Sequence, residues 1–212
     1  MGNETQPRII DITKKKRYER YLYQCFVLPF QKYRKRYEYL QYAIPKGFHK
    51  RILIWDKDVV GQIEYAPASA GGLPIDGDGV FVMNCIWVLR KAKGNNLGKV
   101  LLEDVIQSIR EESATGLATI ALEGHSSPWL KKDQMEKLGF KAVESVEFKN
   151  IIKSKGDLFK VYLMWLPINN DTKLPTWKPK NLTEGVGFCL AHPLYHAESI
   201  KSNEIFEINK RV

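Results

Sequence analysis

A loop suited to phosphate binding is the clearest chemical signal in this 212-residue chain. An apolar, β-branched run at 82–89 leads into a basic loop that contains Gly94 and Gly98, and the loop opens directly into an amphipathic helix. Amides in the first turn of a helix have no partner within the helix and lie at the positive end of its dipole. Such amides bind phosphate oxygens, and glycine lets the backbone approach them closely. The pattern predicts a diphosphate site at residues 93–99.

Two common phosphate-binding motifs do not fit this loop. A P-loop requires Ser or Thr after its Gly-Lys pair, whereas Gly98-Lys99 is followed by Val100. The dinucleotide fingerprint requires Gly-x-Gly-x-x-Gly spacing and repeated βαβ units, and the chain shows neither. We therefore expect another class of phosphate-binding fold.

A second motif follows downstream at 128–140, with the letters PWLKKDQMEKLGF. Gly139 is typical of a helix C-cap, and Phe140 is typical of the apolar contact that follows one. Together with the loop KGNNLG at 93–98 and the strand-like run 117–122 between them, this motif resembles the GNAT superfamily of N-acetyltransferases. The resemblance covers roughly residues 8–168 and implies an α/β fold. In that fold a mixed, mostly antiparallel central sheet is flanked by helices, and here it carries a short C-terminal appendage.

The resemblance also implies a cofactor site and an activity. The co-substrate would be acetyl-CoA, and the reaction would move its acetyl group to a primary amine of a small molecule or a protein. The strand backbone would pair with the pantetheine arm, and the loop would hold the diphosphate. The cofactor-binding residues implied in this way are Trp87, Val88, Leu89, Lys93, Gly94, Asn95, Asn96, Leu97, Gly98 and Lys99.

Two residues depart from the pattern of the family. Asn96 stands where the first Gly of the loop is usual, and Asn adopts left-handed conformations more readily than other non-glycine residues. Met135 stands where many members have a Tyr that protonates the leaving thiolate. Another group or solvent would then supply that proton, or the domain binds acyl-CoA without turnover.

An amine acceptor must lose a proton before it reacts. A Lys-like amine with a pKa of about 10.4 costs roughly 4.6 kcal/mol to neutralise at pH 7. The candidate catalytic residues are Glu64, on a predicted strand that faces the acceptor side in the resembling fold, Glu123 at a strand end, and His125 two residues later. A cross-strand salt bridge at Glu64 and a surface-loop histidine at His125 are the structural alternatives. Cys85 lies in a strand and is expected to be an inert small hydrophobe.

The positive charge of the chain is concentrated near its start. Residues 1–51 hold 13 Lys and Arg and 4 Asp and Glu. Their net charge of +9 equals that of all 212 residues. Six tyrosines interleave with these cations between 14 and 39. One interpretation is amphipathic helices that pack an aromatic stripe on a sheet and leave their charges in water. The other is nucleic-acid binding, with phosphates on the cations and bases stacked on the rings.

The periodicity of the sequence predicts alternating helices and strands in one α/β mixed sheet. Asp56-Lys57-Asp58 is expected to form the turn of a hairpin, and 67–79, rich in Gly, Pro and Asp, is expected to be a loop. The predicted strands are 9–12, 51–55, 59–65, 80–89, 117–123, 143–148 and 159–166, and the predicted helices are 14–28, 31–44, 96–112 and 129–138.

The predicted organisation is an acetyltransferase-like domain at 1–168, a linker at 169–185 and a tail at 186–212. The tail weakly resembles the start of the module appended to YoaP-type acetyltransferases. Its residues Cys189, His192 and His196 have spacing that zinc ligands can use, but no fourth ligand stands nearby, so no metal is expected. The absence of a signal-like start and of a bilayer-length apolar run predicts a cytoplasmic protein that does not enter membranes. The sequence also allows a homodimer, an acetyltransferase that acts on charged tRNA, or a silent acyl-CoA-binding domain.

Overall fold

The computed structural model describes residues 6–25, 34–126, 129–150, 158–169, 173–183, 194 and 206–209. They form an α/β structure with one large sheet and helices on both of its faces. The helices are α1 Glu19–Tyr23, α2 Arg34–Ala43, α3 Leu97–Glu111 and α4 Lys132–Lys137. The strands are β1 Arg8–Asp11, β2 His49–Trp55, β3 Asp58–Pro67, β4 Ile75–Asp76, β5 Val80–Val88, β6 Gly116–Glu123, β7 Lys141–Asn150, β8 Leu158–Pro167, β9 Thr176–Trp177 and β10 Phe206–Ile208.

The large sheet has eight strands in the order β1-β2-β3-β5-β6-β8-β7-β10. The pairing of β5 with β6 is parallel, whereas the other neighbours are antiparallel. The predicted mixed, mostly antiparallel sheet with flanking helices is therefore confirmed. The parallel pair lies at the centre of the sheet, and the candidate functional site lies beside it.

Two local predictions are confirmed closely. Asp56 and Lys57 both have positive φ, as a two-residue turn between β2 and β3 requires. The long helix α3 buries its periodic face, which consists of Leu97, Leu101, Leu102, Val105 and Ile109. That face packs on β3 and β5. The hydrophobic period of the sequence therefore places α3 against the central strands.

The predicted helices 14–28 and 129–138 are too long. The first is a 3-10 turn followed by α1, which ends at Tyr23 because Gln24 is extended. Side chains from α2 and β2 bond the carbonyls there: Arg36 donates to Leu22 O at 3.0 Å, and Lys50 donates to Gln24 O at 2.9 Å. The second helix begins only at Lys132. The residue before it, Lys131, bridges to β6 instead.

The segments predicted as loop and linker contain packed structure. β4, inside the predicted loop 67–79, pairs with β9, inside the predicted linker 169–185. Trp177 of β9 is mostly buried and donates its indole N–H to Glu144 at 2.9 Å. In the predicted tail, β10 extends the edge of the large sheet by pairing with β7. The described parts of 169–212 therefore dock on the main domain.

Candidate functional site

The two central strands separate partway along their length. β5 and β6 pair only from Val80–Gly116 to Val82–Ala118, although both strands continue for several more residues. At the point of separation, the hydroxyl of Thr119 donates to the carbonyl oxygen of Met83 at 2.8 Å. Beyond it, the edge of β5 that faces β6 has no strand partner among the described residues. Backbone groups on such an edge need a partner from water or a ligand.

A β-bulge on β5 lies at the point of separation. In the register with β3, Glu64 pairs with Cys85 and Tyr65 pairs with Met83, so Asn84 is the extra residue. The buried side chain of Asn84 is pinned, because it donates to the Tyr39 hydroxyl at 2.7 Å and accepts from the Gly72 amide at 2.8 Å. A bulge bends its strand and increases the local twist. The bulge therefore accounts for the turn of β5 away from β6.

The chain before α4 closes the exposed edge of β6. The amide of Leu122 donates to Leu130 O at 2.8 Å, and Leu122 forms a parallel bridge with Lys131. Leu130 has a positive φ of 46°, which is unusual for a non-glycine residue. This strand-like segment replaces the start of the predicted helix at 129–138. It leaves an opening between β5 on one side and α4 on the other.

The loop before α3 presents its amides to this opening. Asn96 adopts a left-handed conformation with φ 53°, as its type allows, and Gly94 has φ 89°. The amides of residues 94–98 donate to no acceptor among the residues that the structure describes, whereas those of Lys99 and Val100 bond Asn96 O. A Cβ added at Gly94 or Gly98 would meet nothing within 4 Å. A cradle of main-chain donors therefore faces open space, and a diphosphate fits its chemistry.

A cavity of about 370 Å³ connects the cradle with the free edge of β5. Seven of the ten residues implied as cofactor-binding line it, and Leu89, Asn95 and Lys99 do not. The wall from α4 and the segment before it was not among the implied cofactor-binding residues, although the motif at 128–140 and Met135 had been singled out from the sequence. The lining residues are Ile86, Trp87, Val88, Ala92, Lys93, Gly94, Asn96, Leu97, Gly98, Leu130, Gln134, Met135, Lys137 and Leu138.

The candidate base Glu64 lies in a buried ion network on the α2 face of the sheet. Its carboxylate accepts two bonds of 2.8 Å from Arg36, and Lys50 Nζ lies 2.9 Å from its Oε1. Burial raises the pKa of Glu64, but Arg36 and Lys50 outweigh burial and bring that pKa down to about 2. Burial also lowers the pKa of Lys50. A carboxylate saturated by two cations is a poor proton acceptor, so this geometry favours the salt-bridge alternative for Glu64.

The candidate Glu123 lies at the end of β6 in a partly exposed cluster. The Tyr162 hydroxyl donates to it at 2.6 Å, and Lys132 of α4 lies 3.2 Å from it. The bonds from Tyr162 and Lys132 lower the pKa of Glu123, and the bond to Glu123 raises the pKa of Tyr162. Tyr162 was not anticipated from the sequence, because it follows a strand pattern without a recognisable motif. Glu123 does not line the cavity.

The other candidate residues occupy apolar surroundings. The ring of His125 packs edge-on against Phe159 at 4.8 Å and Phe206 at 5.7 Å, and it does not line the cavity. Cys85 is buried, and burial raises the pKa of its thiol to about 12. Such a thiol is inert near neutral pH, which agrees with its expected role as a small hydrophobe. Cys189, His192 and His196 lie outside the described residues.

The basic N-terminal stretch divides into a buried part and an exposed part. Tyr39 is buried and donates to Ala70 O at 2.9 Å, which supports the packing interpretation. Tyr37 remains 49% exposed and stacks on Tyr23, with 5.8 Å between ring centroids. Arg20 lies over the ring of Tyr21 at 4.6 Å. α1 and α2 therefore present both aromatic and cationic groups at the surface.

Sequence comparison finds a partial match to a longer protein. No protein-family model matches the chain. A 120-residue alignment, which covers 54% of the chain, is 30% identical to glucokinase from Brucella abortus, in two strains. The chain spans 31% of the length of that curated relative, so the match assigns no kinase activity. In the described part of the chain, no helix has the length and apolarity to span a membrane.

Structural comparison identifies the fold. The ribosomal-protein-S18-alanine N-acetyltransferase from Escherichia coli is similar with a TM-score of 0.53 and 13% identity, over 79% of this chain and 97% of that one. The aminoglycoside 6'-N-acetyltransferase from Enterococcus faecium is similar with a TM-score of 0.54 and 11% identity, over 78% of this chain and 99% of that one. A GNAT family acetyltransferase from Elizabethkingia anophelis with acetyl-CoA bound has a TM-score of 0.50 and 14% identity, over 78% of this chain and 99% of that one. The chain has the fold of the GNAT-family N-acetyltransferases.

Proposed function

We propose that the protein is an N-acetyltransferase that transfers the acetyl group of acetyl-CoA to a primary amine. The observation that carries this proposal is the cavity between the unpaired edge of β5 and the amide cradle at residues 94–98. The similar Elizabethkingia anophelis structure contains acetyl-CoA, which supports the choice of co-substrate. The acceptor amine could belong to a small molecule or to a protein.

The residues of the cavity would divide the work of binding. The amides of residues 94–98 would hold the diphosphate, and Lys93 would add positive charge beside it. Backbone groups of β5 from Asn84 to Val88 would pair with the amides of the pantetheine arm. The apolar side chains of Leu130, Met135 and Leu138 would exclude water from the pantetheine arm. The thioester supplies an activated acetyl group when acetyl-CoA is bound.

Proton transfer is proposed to involve solvent. No carboxylate or histidine lines the cavity among the described residues, and Met135 is buried at the position where the family often has a Tyr. Glu64, Glu123 and His125 lie outside the cavity in the interactions described above. The acceptor would therefore react as the small fraction of neutral amine present at equilibrium, and water would carry its proton away.

Release of free thiol tests this function. Purified protein is mixed with acetyl-CoA and a panel of primary amines, and coenzyme A is measured with a thiol reagent over time. An amine-dependent release is expected for at least one member of the panel, together with a product heavier by one acetyl group. If the protein binds coenzyme A but no amine in a broad panel stimulates release, the silent acyl-CoA-binding alternative is the better account.

Binding of single-stranded nucleic acid is a second candidate function. It is favoured by the surface formed by the 3-10 turn at 16–18, α1 and α2, where Arg17 and Arg20 lie over Tyr18 and Tyr21 and where Tyr37 is half exposed. Stacking of bases on such rings adds to phosphate contacts with the cations. Titration of a labelled oligonucleotide at increasing salt tests this candidate. A linear fall of log affinity with log salt is expected, and a flat response contradicts it.

A further inference from the structure

Gln62 of β3 carries a buried oxygen that has no hydrogen-bond partner among the described residues. The residue is 2% exposed, and its Oε1 is unpaired in the structure. The amide nitrogen of Gln62 has a partner, because Nε2 donates to the sulfur of Cys85 at 3.6 Å. An unpaired buried acceptor costs about 1–3 kcal/mol, and native proteins contain few of them. A buried oxygen of this kind is explained if a bound molecule donates to it.

Gln62 does not line the cavity itself, but it lies beside a strand residue that does. Gln62 pairs with Trp87 in the register of β3 and β5, and Trp87 lines the cavity. A Cβ on the preceding Gly61 would contact Leu101 of α3 at 3.2 Å, so the side chain of Gln62 lies on the opposite face of the sheet. That face is the one on which Glu64 meets Arg36 of α2. Gln62 therefore flanks the free edge of β5 on the side away from α3.

The surrounding charges restrict what can bind there. A glutamine oxygen is only an acceptor, so its partner must carry N–H or O–H. Among the ion pairs of the described residues, the neighbouring network joins two cationic side chains, Arg36 and Lys50, to one carboxylate, Glu64. An ammonium close to this network would be disfavoured relative to the neutral amine, because nearby like charge lowers the pKa of an amine. The site thus suits an uncharged amine that still has N–H to donate.

We propose that Gln62 Oε1 binds the amine of the acetyl acceptor on the α2 face of the sheet. This inference rests on the proposed acetyl transfer. The amine donates one N–H to Gln62 and directs its lone pair at the acetyl carbon. A new C–N bond forms there while the C–S bond breaks. The sulfur leaves with the electron pair of that bond, and the proton lost by nitrogen passes through solvent to the thiolate. Gln62 orients the nitrogen and exchanges no proton.

The test uses calorimetry on the whole protein with and without saturating coenzyme A. The probes are tyramine, spermidine, L-lysine and L-alanine amide, titrated into the wild type and three variants. Gln62→Met keeps the length of the side chain and removes the oxygen, and Gln62→Glu keeps an acceptor oxygen. Tyr65→Phe is the matched control, because it removes a buried hydroxyl from the α3 face of the same strand.

The expected result is specific to the amine. Gln62→Met should weaken the amine that binds the wild type by about tenfold, which corresponds to 1.4 kcal/mol. Gln62→Glu and Tyr65→Phe should stay close to the wild type, and coenzyme A should bind all four proteins equally. The Gln62→Met variant should also melt at a higher temperature, because it no longer buries an unpaired oxygen.

Two results would overturn the inference, and both differ from a failure of the proposed function. The first is amine binding by Gln62→Met with wild-type affinity, and the second is binding of none of the four amines by the wild type in either condition. Failure of the proposed function would instead show as absent coenzyme A binding, or as an amine that binds without being acetylated. An amine that binds through Gln62 without acetylation would leave this inference standing and would remove acetyl transfer.

Discussion

The Thr119 hydroxyl and the Met83 carbonyl oxygen, 2.8 Å apart, join β5 and β6 at the residue where the two strands part. Both residues are fully buried. Before this bond, from Val80–Gly116 to Val82–Ala118, the strands form a parallel pair. After it, β5 has an edge open to the cavity. We therefore expect this bond to mark the depth to which a bound molecule can reach into the sheet.

We predict that Thr119→Val destabilises the protein by about 1–3 kcal/mol, because Met83 O loses a buried donor. The same change should weaken coenzyme A binding, since the separation of the strands is no longer fixed. Urea denaturation and calorimetry measure the two effects. Thr119→Ser, which retains the hydroxyl, is the control and should keep wild-type affinity. Equal coenzyme A affinity in Thr119→Val would show that this bond does not shape the cavity.

Gly98→Leu should separate binding from folding. A Cβ at Gly98 faces open space and its φ is not positive, so the side chain can be added without strain. The melting temperature should stay the same or rise, because Gly in a helix is about 0.5–1 kcal/mol less favourable than Ala. Coenzyme A binding should be lost, because the leucine fills the space in front of the amides.

A control on the same helix makes the Gly98 result specific. Gln107→Leu changes an exposed position of α3 and should leave coenzyme A affinity unchanged. Undiminished binding by Gly98→Leu would place the diphosphate elsewhere. Unfolding of Gly98→Leu would contradict the open space described at this position.

Glu64→Gln should lower the free energy of unfolding and should have little effect on acetyl-transfer activity. Removing one partner of a buried ion pair leaves unpaired charge and typically costs about 3–5 kcal/mol. The folded pKa of Glu64 is about 2, below the usual 4.5, so its contribution is complete above pH 4.5 and is lost as pH falls toward 2. Denaturation measured across that pH range should therefore show a steeper acid loss in the wild type than in Glu64→Gln. A drop in turnover without a drop in stability would instead support Glu64 as a base.

The pH profile of acetyl transfer should follow the acceptor. Without a carboxylate or histidine in the described lining of the cavity, kcat/KM should rise with pH until the amine itself is neutral. Two acceptors with different pKa values should then give profiles displaced by that difference. Profiles that level off at one pH for both acceptors would reveal a base in the protein, and Glu123→Gln and His125→Gln would identify it.

Much of the fold could be predicted from local patterns. The four-residue recurrence of leucine and other aliphatic residues along 97–109 specifies the buried face of α3, and the Asp56-Lys57 turn specifies the β2–β3 hairpin. Gly94 and Asn96 mark the loop because both adopt positive φ, which these residue types tolerate. In each case, residues close in sequence determine the structure.

The remaining features depend on contacts between distant residues. The early end of α1 depends on Arg36 and Lys50, and the ion network joins Glu64 to residues 14 and 28 positions away along the chain. The pairing of β4 with β9 joins segments a hundred residues apart, and the orphan oxygen of Gln62 has no sequence signature. Tertiary packing decides these features.

Calorimetric titration of the wild-type protein with coenzyme A tests the central claim most directly. Binding to the amides of residues 94–98 predicts measurable heat and a dissociation constant below about 0.1 mM, equivalent to roughly −5.5 kcal/mol. Pantetheine, which lacks the diphosphate, should bind far more weakly, and Gly98→Leu should abolish the difference between the two ligands. Absence of heat with millimolar coenzyme A, or equal affinity for pantetheine, would contradict the account.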